Sequence, residues 1–496
     1  MRRVGAKRVA SRTARVRTSR ALPLAAMLSV TLLAGCITGY EKPDTALEVP
    51  DKYRYANNQP DKALPSLDWW RSFNSKELTA MVEAAQTANL DIAVAVARIQ
   101  QADAQARISG AALLPTVNAN GNATRARPSQ SSSSSSSSTS TRGGSIETTT
   151  YNANLSASYV VDLWGQNRAA LLASEESAVA SRFSRDVVAL TAITSVANTY
   201  FSVLNAQDRL RIARGNIASA ERVLTLIRQR FMVGTASQLD VAQQESLVAT
   251  QRATVPPLEI ALRQNATALA VLVGRAPENF PVRGGSLNSI SVPAITPGLP
   301  SEILNQRPDI RQAEADLSSS NYSVESARAA FFPNISLTGA RGFQSAALAT
   351  LFGPGAWYYT MAASLTQPVF DGFLRQGELE LAQGRQQEFL QTYRKSVLSA
   401  FSDVEQALIA VQQQATRERL QGEVVRAARQ AFELSERRLR EGTVDLITVL
   451  TTQQTLFQAQ DTLAQVRFAR LQAVVSLFQA LGGGWPPADT NQPVSQ

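Results

Sequence analysis

The feature that most constrains this chain is an apolar residue at every seventh position through several long segments. One series contains Val196, Val203, Leu210, Ile217, Leu224 and Phe231, and another contains Leu390, Val397, Val404 and Val411. A strict seven-residue spacing corresponds to a helical period of about 3.5 residues, which packs long helices side by side with interlocking side chains. The segments 166–231 and 374–440 would each extend about 100 Å as helices. Because aromatic residues make up only 6% of the chain, we expect long paired helices instead of a compact enzyme core.

The chain also contains an internal repeat. Residues 114–117 (Leu-Pro-Thr-Val) correspond to residues 332–335 (Phe-Pro-Asn-Ile), and residues 231–235 correspond to residues 439–443. The offset is 218 residues for the first pair and 208 for the second, so the first half carries an insertion, which includes the eight consecutive serines at 131–138. Serine tracts are flexible and are tolerated at exposed loop tips. Each half predicts a helix, two strands, a very long helix, a Gly-Thr turn and a further helix.

Four shorter segments alternate between apolar and polar residues. Within 151–161 and 357–366, the odd-numbered positions are apolar or aromatic, and the even-numbered positions are mostly polar. A period of two predicts strands with one apolar and one polar face. Such strands suit a membrane barrel with a water-filled lumen. They also suit a half-buried sheet in a soluble domain, and the periodicity alone leaves both interpretations open.

A secretion signal is predicted at the N-terminus. Eight of the 49 Lys and Arg residues lie within the first 20 positions, no acid lies among them, and the apolar run 21–33 follows. This run is shorter than the roughly 20 residues that a bilayer span needs, and it has the flanking charge of a secretory signal. Residues 33–36 (Leu-Ala-Gly-Cys) resemble a bacterial lipobox, and Cys36 is the only cysteine. We therefore expect lipidation at Cys36; the alternative is an ordinary signal peptide with a chance cysteine.

Composition excludes several classes of site. The chain has no histidine and a single cysteine, which excludes histidine metal ligands, Ser-His-Asp triads and cysteine zinc sites. It contains no GxxxxGK[ST] nucleotide motif. Beyond the first 20 residues, 41 basic residues stand against 40 acidic ones, so the basic charge belongs to the signal. We predict a protein that is not an enzyme, with no catalytic residue, no metal, no cofactor and no nucleic-acid partner; a secreted hydrolase with paired carboxylates is the enzymatic alternative.

Several motifs together resemble the TolC-type outer-membrane factor family. They are residues 68–73 (Asp-Trp-Trp-Arg-Ser-Phe), residues 307–314 (Arg-Pro-Asp-Ile-Arg-Gln-Ala-Glu), residues 368–372 (Pro-Val-Phe-Asp-Gly) and the paired Gly-Thr turns. The lipobox points to the OprM/NodT-like lipoprotein branch. The resemblance covers essentially the whole mature chain, and it rests on the order and spacing of the motifs.

This resemblance implies an α+β membrane protein that assembles as a homotrimer. Its 12-stranded outer-membrane β-barrel, with four strands per chain, would continue into a long periplasmic α-helical coiled-coil barrel. The implied function is the exit duct of a tripartite efflux system, which passively conducts substrates such as drugs from an RND-type inner-membrane pump and a periplasmic adaptor. The alternatives are the duct of a type I protein secretion or metal efflux system, and a non-channel structural periplasmic coiled-coil lipoprotein. We expect a lipid-anchored location in the cell outer membrane, with a large periplasmic part.

The expected domain order follows the repeat. Residues 1–35 form the lipoprotein signal peptide, residues 36–74 the lipid-anchored N-terminal segment, and residues 485–496 the C-terminal tail. The first structural repeat, 75–300, holds strands near 116–127 and 149–163 and long helices near 166–231 and 237–273. The second repeat, 301–484, holds strands near 334–343 and 356–368 and long helices near 374–440 and 445–481.

Three groups of candidate site residues follow. The periplasmic tip expected to dock the adaptor consists of Gly234, Thr235, Gly442 and Thr443, because glycine can adopt the left-handed conformation that ends a helix, and Ser, Thr or Asp can cap the next one. The candidate gate, made of ion pairs between neighbouring chains, consists of Arg438, Arg440, Glu441, Asp445 and Asp240. The barrel positions expected to face outer-membrane lipid are Leu155, Tyr159, Ile335, Leu337, Trp357, Tyr359 and Leu365.

Overall fold

The computed structural model describes residues 68–127, 147–293 and 298–483, together with residues 44, 47, 49–50, 52–55, 66 and 295. The chain divides into two units, Met1–Asp44 and Thr45–Gln496, and the elements below belong to the second. Cys36, the serine tract at 131–138 and the tail at 485–496 lie outside the described residues. The lipidation of Cys36 therefore stays a prediction.

The first half of the second unit is mostly helical. Its helices are α1 (Lys76–Ala88), α2 (Leu90–Ala111), α3 (Gln166–Met232), α4 (Gln238–Ala253) and α5 (Val255–Leu272), and its strands are β1 (Thr116–Ala126) and β2 (Thr148–Val161). Between α4 and α5 the helix expected at 237–273 is interrupted at Thr254. Pro256 and Pro257 lie in the first turn of α5, where their missing N–H groups are tolerated. Thr254 keeps helical backbone angles (φ −76°, ψ −18°), so the interruption is a kink.

The second half runs through a similar order of elements. Its helices are α6 (Pro300–Gln306), α7 (Pro308–Ala329), α8 (Leu374–Arg440) and α9 (Leu446–Ala480), and its strands are β3 (Asn334–Ser345) and β4 (Trp357–Thr366). The two longest helices, α3 and α8, have 67 residues each. A helix of that length extends about 100 Å.

The four strands form one antiparallel sheet in the order β1-β2-β3-β4. Each strand pairs with its neighbours in sequence, with Ala119 opposite Leu155, Tyr159 opposite Leu337 and Ile335 opposite Leu365. Within the described residues, β1 and β4 have no strand on their outer sides. Each edge therefore presents a row of backbone N–H and C=O groups that could pair with another chain.

Heptad positions supply much of the helical core. Val196, Val203 and Leu224 on α3, and Val397 and Val404 on α8, are all buried. One cluster of buried side chains joins α3, α4, α8 and α9 toward the ends of the long helices. Phe231 differs, with 43% of its surface exposed, because it lies in the last turn of α3, where the packing against other helices ends.

An aromatic cluster packs the N-terminal segment against the helices. Trp69 stacks on Phe478 of α9 with the ring centroids 4.8 Å apart. Phe73 meets Phe201 of α3 edge-on at 5.2 Å. Because Trp69 and Phe73 are almost fully buried, the short 3₁₀ helix Trp69–Phe73 is part of the core.

Helix α3 has an unusually apolar stretch. Among the helices of the described residues, it alone contains an 18-residue window that could cross a membrane by length and composition. Half of that window is buried inside the protein, because α3 packs against α2, α5, α7 and α9. The apolar stretch is therefore explained by burial in the helical core.

Candidate functional site: the sheet faces and the hairpin tips

The register of the sheet sorts its side chains onto two faces. Residues directly opposite each other in antiparallel strands point to the same side. Leu155 is opposite Arg341, which is opposite Tyr359, and odd-numbered residues oppose odd-numbered ones throughout. We name the odd-numbered side the apolar face. It contains all of the positions expected to face lipid, which are Leu155, Tyr159, Ile335, Leu337, Trp357, Tyr359 and Leu365.

The apolar face is uncovered in the single chain. Leu155, Tyr359 and Leu365 are 59%, 61% and 68% exposed, and Leu337 and Trp357 are exposed as well. Tyr159 and Ile335 are partly buried. Contact of apolar surface with water costs about 25 cal/mol per Å². A face of this kind needs an apolar partner, such as hydrocarbon.

The even-numbered side, here the polar face, carries a network of side-chain hydrogen bonds across all four strands. The amide of Asn120 donates to Ser156 Oγ at 3.0 Å, and the amide of Asn154 donates to Tyr358 Oη at 2.8 Å. Tyr358 Oη donates in turn to Asn152 Oδ1 at 3.2 Å. On this face, β1 to β4 present no charged side chain. Small uncharged polar groups of this kind suit a wall that borders water.

Two aspartates connect the sheet to the long helices. The carboxylate of Asp162 accepts hydrogen bonds from the backbone N–H groups of Asn167 and Arg168 at the start of α3, at 3.2 and 2.9 Å. Asp371 accepts from the N–H of Arg375 at the start of α8, at 3.3 Å. Both carboxylates satisfy free N–H groups at a helix N-terminus. The sequence pattern did not predict this role, although Asp371 belongs to the motif at residues 368–372.

The turn between α3 and α4, here the tip of the first hairpin, and the turn between α8 and α9, the tip of the second hairpin, have the same structure. Gly234 and Gly442 have φ of 78° and 76°, which is the left-handed conformation that ends a helix. The backbone N–H groups of Thr235 and Thr443 donate to the carbonyls of Arg230 and Arg438, at 2.8 and 3.0 Å. Their hydroxyls donate to the same carbonyls. The threonines therefore close α3 and α8, and they do not cap the helices that follow.

Ser237 and Asp445 supply those caps instead. Ser237 Oγ accepts from the N–H of Asp240 at 3.2 Å, and the Asp240 carboxylate accepts from the N–H of Ser237 at 2.7 Å. Asp445 accepts from the N–H of Thr448 at 3.0 Å. Hydrogen bonds from the Thr448 side chain and backbone lower the pKa of Asp445. Two of the candidate gate carboxylates are thus engaged as helix caps within their own chain.

The basic residues of the tips have different partners. Arg440 pairs with Glu436 one turn earlier on α8, and Arg228 pairs with Glu245 across the first hairpin. Arg230 donates to the backbone carbonyl of Leu439 at 2.6 Å, and so connects the first hairpin to the second. Within the described part of the chain, no ion pair joins Arg438 or Arg440 to Glu441, Asp445 or Asp240. Pairing between neighbouring chains stays a prediction.

A sheet with one apolar and one polar face, joined to helices of this length, has counterparts among known proteins. The family model described as outer membrane efflux protein matches residues 81–275 and 299–483. The chain belongs to that family. The outer membrane efflux proteins are transport proteins, and this chain is an outer-membrane efflux channel by family.

Individual members of the family agree with that assignment. The pyoverdine export outer membrane protein OpmQ of Pseudomonas aeruginosa is 38% identical over 92% of this chain and 96% of its own length. The probable outer membrane lipoprotein SilC of Salmonella typhimurium is 28% identical over 94% of this chain and 99% of its own. The solved outer-membrane channel OprN superposes with a TM-score of 0.83 at 25% identity, covering 91% of this chain and all of OprN (100%). The similarity therefore extends across the sheet and the helices together.

Proposed function

We propose that this outer membrane efflux protein is the exit duct of a tripartite efflux system. It would assemble as a homotrimer with a periplasmic adaptor and an RND-type inner-membrane pump, and conduct small organic substrates such as drugs passively to the outside. The observation that carries the proposal is the two-faced sheet with two unpaired edges, joined directly to the longest helices of the chain.

The unpaired edges support a trimer. An unsatisfied backbone group in hydrocarbon costs several kcal/mol, so an open sheet edge is not stable in lipid. Strands β1 and β4 run in opposite directions. The β4 edge of one chain can therefore pair antiparallel with the β1 edge of the next. Three copies would close twelve strands, with the apolar face toward lipid and the polar face toward a lumen.

The helices support a long periplasmic part. A length of about 100 Å is over three times the roughly 30 Å of a bilayer core. The hairpin turns lie at the ends of α3 and α8 that are remote from the sheet. Gly234, Thr235, Gly442 and Thr443 would then form the surface that meets the adaptor. Closure of the resting duct would occur at the same tips, with Arg438, Arg440, Glu441, Asp445 and Asp240 as the candidate gate.

A second candidate concerns the substrate. The relative that is 38% identical is named for pyoverdine export. Export of pyoverdine or a related compound is therefore the alternative to drugs. Deletion of the gene, followed by chromatography of the medium and by drug-susceptibility tests, separates the two. Loss of such a compound from the medium without increased drug sensitivity would favour this second candidate.

The channel itself is tested by electrophysiology. Purified protein should migrate as a heat-modifiable trimer on gels and should conduct ions in planar bilayers. A trimer without conductance would instead support the structural coiled-coil lipoprotein. Accumulation assays in a deletion strain, with and without the co-expressed pump and adaptor, test the tripartite assembly.

Lipid anchoring is tested separately. One relative carries the word lipoprotein in its name, which supports lipidation at Cys36. Cells fed labelled palmitate should label the wild type and leave Cys36→Ser unlabelled. Absence of label in the wild type would contradict the lipobox interpretation. Because the barrel would still hold the trimer in the membrane, conductance of Cys36→Ser should be unchanged.

A further inference from the structure

Two charged side chains lie on the apolar face away from the helices, and one of them has no acidic partner in the described residues. The four strands contain two charged residues, Arg125 and Arg341, and no acid. Arg125 forms an ion pair with Glu147 at 2.6 Å. Among the residues that the structure describes, Arg341 has no acidic partner, and its guanidinium lies over the ring of Trp357, 5.7 Å from the centroid. An arginine without a counter-ion on a surface of this kind is costly in hydrocarbon.

Arg341 borders a groove in that face. The groove has a volume of about 580 Å³. Its floor is made of small residues: Gly121 is opposite Ala153 across β1 and β2, and Ala119 is two residues from Gly121 on the same face. Asn120, Asn154 and Gly342 also line the groove. Its walls are larger side chains: Leu155, Arg341, Phe343, Phe352 and Trp357. Phe352 is 73% exposed and meets Phe343 edge-on at 5.3 Å. A mostly apolar groove with one cation at its side suits an acyl chain that carries an anionic head.

The position of the groove along the strands determines which leaflet of the outer membrane the groove would contact. Strand β3 begins at Asn334, beside the helices, and ends at Ser345. Arg341 lies about 20 Å along the strand from Ile335. An apolar band of a membrane barrel is about 25 Å tall. Because barrel strands tilt by about 35–45°, this distance along the strand corresponds to about 15 Å along the membrane normal. If the helices are periplasmic, Arg341 lies in the outer half of that band, and its long side chain can extend toward the lipid headgroups of the outer leaflet.

We propose that Arg341 and this groove bind an anionic, phosphate-bearing lipid of the outer leaflet. The phosphate would accept paired hydrogen bonds from the Arg341 guanidinium, since guanidinium and phosphate match in geometry as well as charge. One acyl chain would lie on Ala119, Gly121 and Ala153. The ring of Trp357, over which the guanidinium lies, would hold the guanidinium in place. The source is a lipid and not a free anion, because the walls around the cation are apolar. The inference rests on the proposed barrel placement.

The test is lipid binding to the intact, delipidated trimer in neutral detergent, followed by native mass spectrometry. The probe is purified lipid A with both phosphates, compared with the same lipid after removal of both phosphates. Wild type should bind the phosphorylated form at least about tenfold more tightly than Arg341→Gln does. The dephosphorylated form should not distinguish the two proteins. Equal affinity of wild type and Arg341→Gln for the phosphorylated lipid would overturn the proposal.

Matched variants separate the charge from the groove. Arg125→Gln removes the other cation of the same face, which lies outside the groove, and should leave binding unchanged. Gly121→Leu fills the floor and keeps Arg341; a Cβ atom added there meets no atom within 4 Å, so the backbone at this position accepts a side chain. We expect weaker lipid binding from Gly121→Leu, and wild-type binding from Ala157→Leu, which is on the same face outside the groove. Equal binding by Gly121→Leu and Ala157→Leu would contradict the groove as the site.

Two further outcomes complete the test. Displacement of the lipid by excess inorganic phosphate alone would show a free-anion site and overturn the lipid assignment. Conductance in planar bilayers is measured on the same preparations. If the wild type forms no conducting trimer, the proposed function fails, and the lipid inference fails with it. If it conducts but binds lipid without dependence on Arg341, the lipid inference alone is wrong.

Discussion

Arg230 and the backbone carbonyl of Leu439 join the two hairpin tips of one chain. The guanidinium of Arg230, near the end of α3, donates to the carbonyl oxygen of Leu439, near the end of α8, at 2.6 Å. The last carbonyls of a helix lack intrahelical partners and carry the negative end of the helix dipole. The carbonyl of Leu439 already accepts from the backbone N–H of Gly442 at 3.1 Å, so Arg230 adds a second, charge-assisted hydrogen bond that links one hairpin to the other.

The first prediction concerns this bond. Arg230→Ala should weaken the link between the hairpins by about 1 kcal/mol, because the bond is charge-assisted but partly exposed to water. The population with separated tips should rise about fivefold. Single-channel recordings should show longer or larger openings. Arg228→Ala is the control, since Arg228 pairs with Glu245 of its own hairpin. Identical recordings from both variants would exclude Arg230 from closure.

The second prediction concerns the ionic gate. Asp445 also caps α9, so Asp445→Ala would remove the cap as well as the charge. Asp445→Asn keeps a capping side chain without the charge. Combined with Arg438→Ala, it should raise single-channel conductance, and high salt should have a similar effect on the wild type. Unchanged conductance in both experiments would indicate closure by apolar packing.

The protonation of Asp445 defines a pH window for the proposed gate. Hydrogen bonds from Thr448 hold the pKa of Asp445 below its ordinary value of 3.8. A lowered folded-state pKa means that the contribution of this carboxylate is present above the ordinary value and is lost as the pH falls through the folded-state value. Conductance controlled by Asp445 should therefore be constant down to about pH 4. A change in conductance between pH 5 and pH 7 that Asp445→Asn abolishes would contradict this.

The third prediction tests the two faces of the sheet. Met361 is 85% exposed on the apolar face, opposite Gly339, and Thr360 is the next residue on the polar face. Met361→Arg should destabilise the proposed barrel by about 2–4 kcal/mol, and Thr360→Arg by far less. Leu365→Arg should cost less than Met361→Arg, because Leu365 lies near the end of β4. The yield of heat-modifiable trimer after refolding into vesicles measures the difference. Equal yields from Met361→Arg and Thr360→Arg would reverse the assignment of the faces.

The fourth prediction concerns an ion cluster inside the second hairpin. Glu418 of α8 accepts from Arg467 and Arg470 of α9, both at 2.8 Å, and its side chain is 15% exposed. Burial opposes ionisation, but the hydrogen bonds from Arg470 and Arg467 outweigh it and lower the pKa of Glu418 below 4.5. This stabilisation is present above the ordinary pKa and is lost as the pH falls through the folded-state value.

Glu418→Gln should therefore destabilise the hairpin by about 2 kcal/mol at neutral pH, because two arginines lose their charged acceptor. The difference from wild type should disappear in acid. Glu423→Gln is the matched control on the same helix. Its partner Arg419 is 65% exposed, so the loss should be about 0–1 kcal/mol. Thermal melts followed by circular dichroism at several pH values provide the measurement, and a difference that does not decrease as the pH falls from 4.5 to about 2 would contradict the assignment.

Local periodicity was enough to locate the large elements. A seven-residue apolar repeat predicts a helix over 166–231, and the structure has α3 at Gln166–Met232. Alternation in 357–366 coincides with β4 at Trp357–Thr366. Both patterns repeat within a few residues, so they reflect the geometry of a single helix or strand. The same local reasoning predicted one apolar and one polar side for each strand.

Contacts between distant residues were decided by the tertiary structure. In the sequence, Arg341 is a single charged residue within an alternating pattern. The register of the sheet places it beside Leu155 and Tyr359 on the apolar face. Arg230 reaches Leu439, which is 209 positions away in the chain. Asp240 and Asp445 were expected to form ion pairs between neighbouring chains, which stays a prediction, and within their own chain both carboxylates accept from backbone N–H groups as helix caps. Amino-acid type and spacing specify what a side chain can bind, and only the packing of the chain specifies which partner comes within hydrogen-bonding distance.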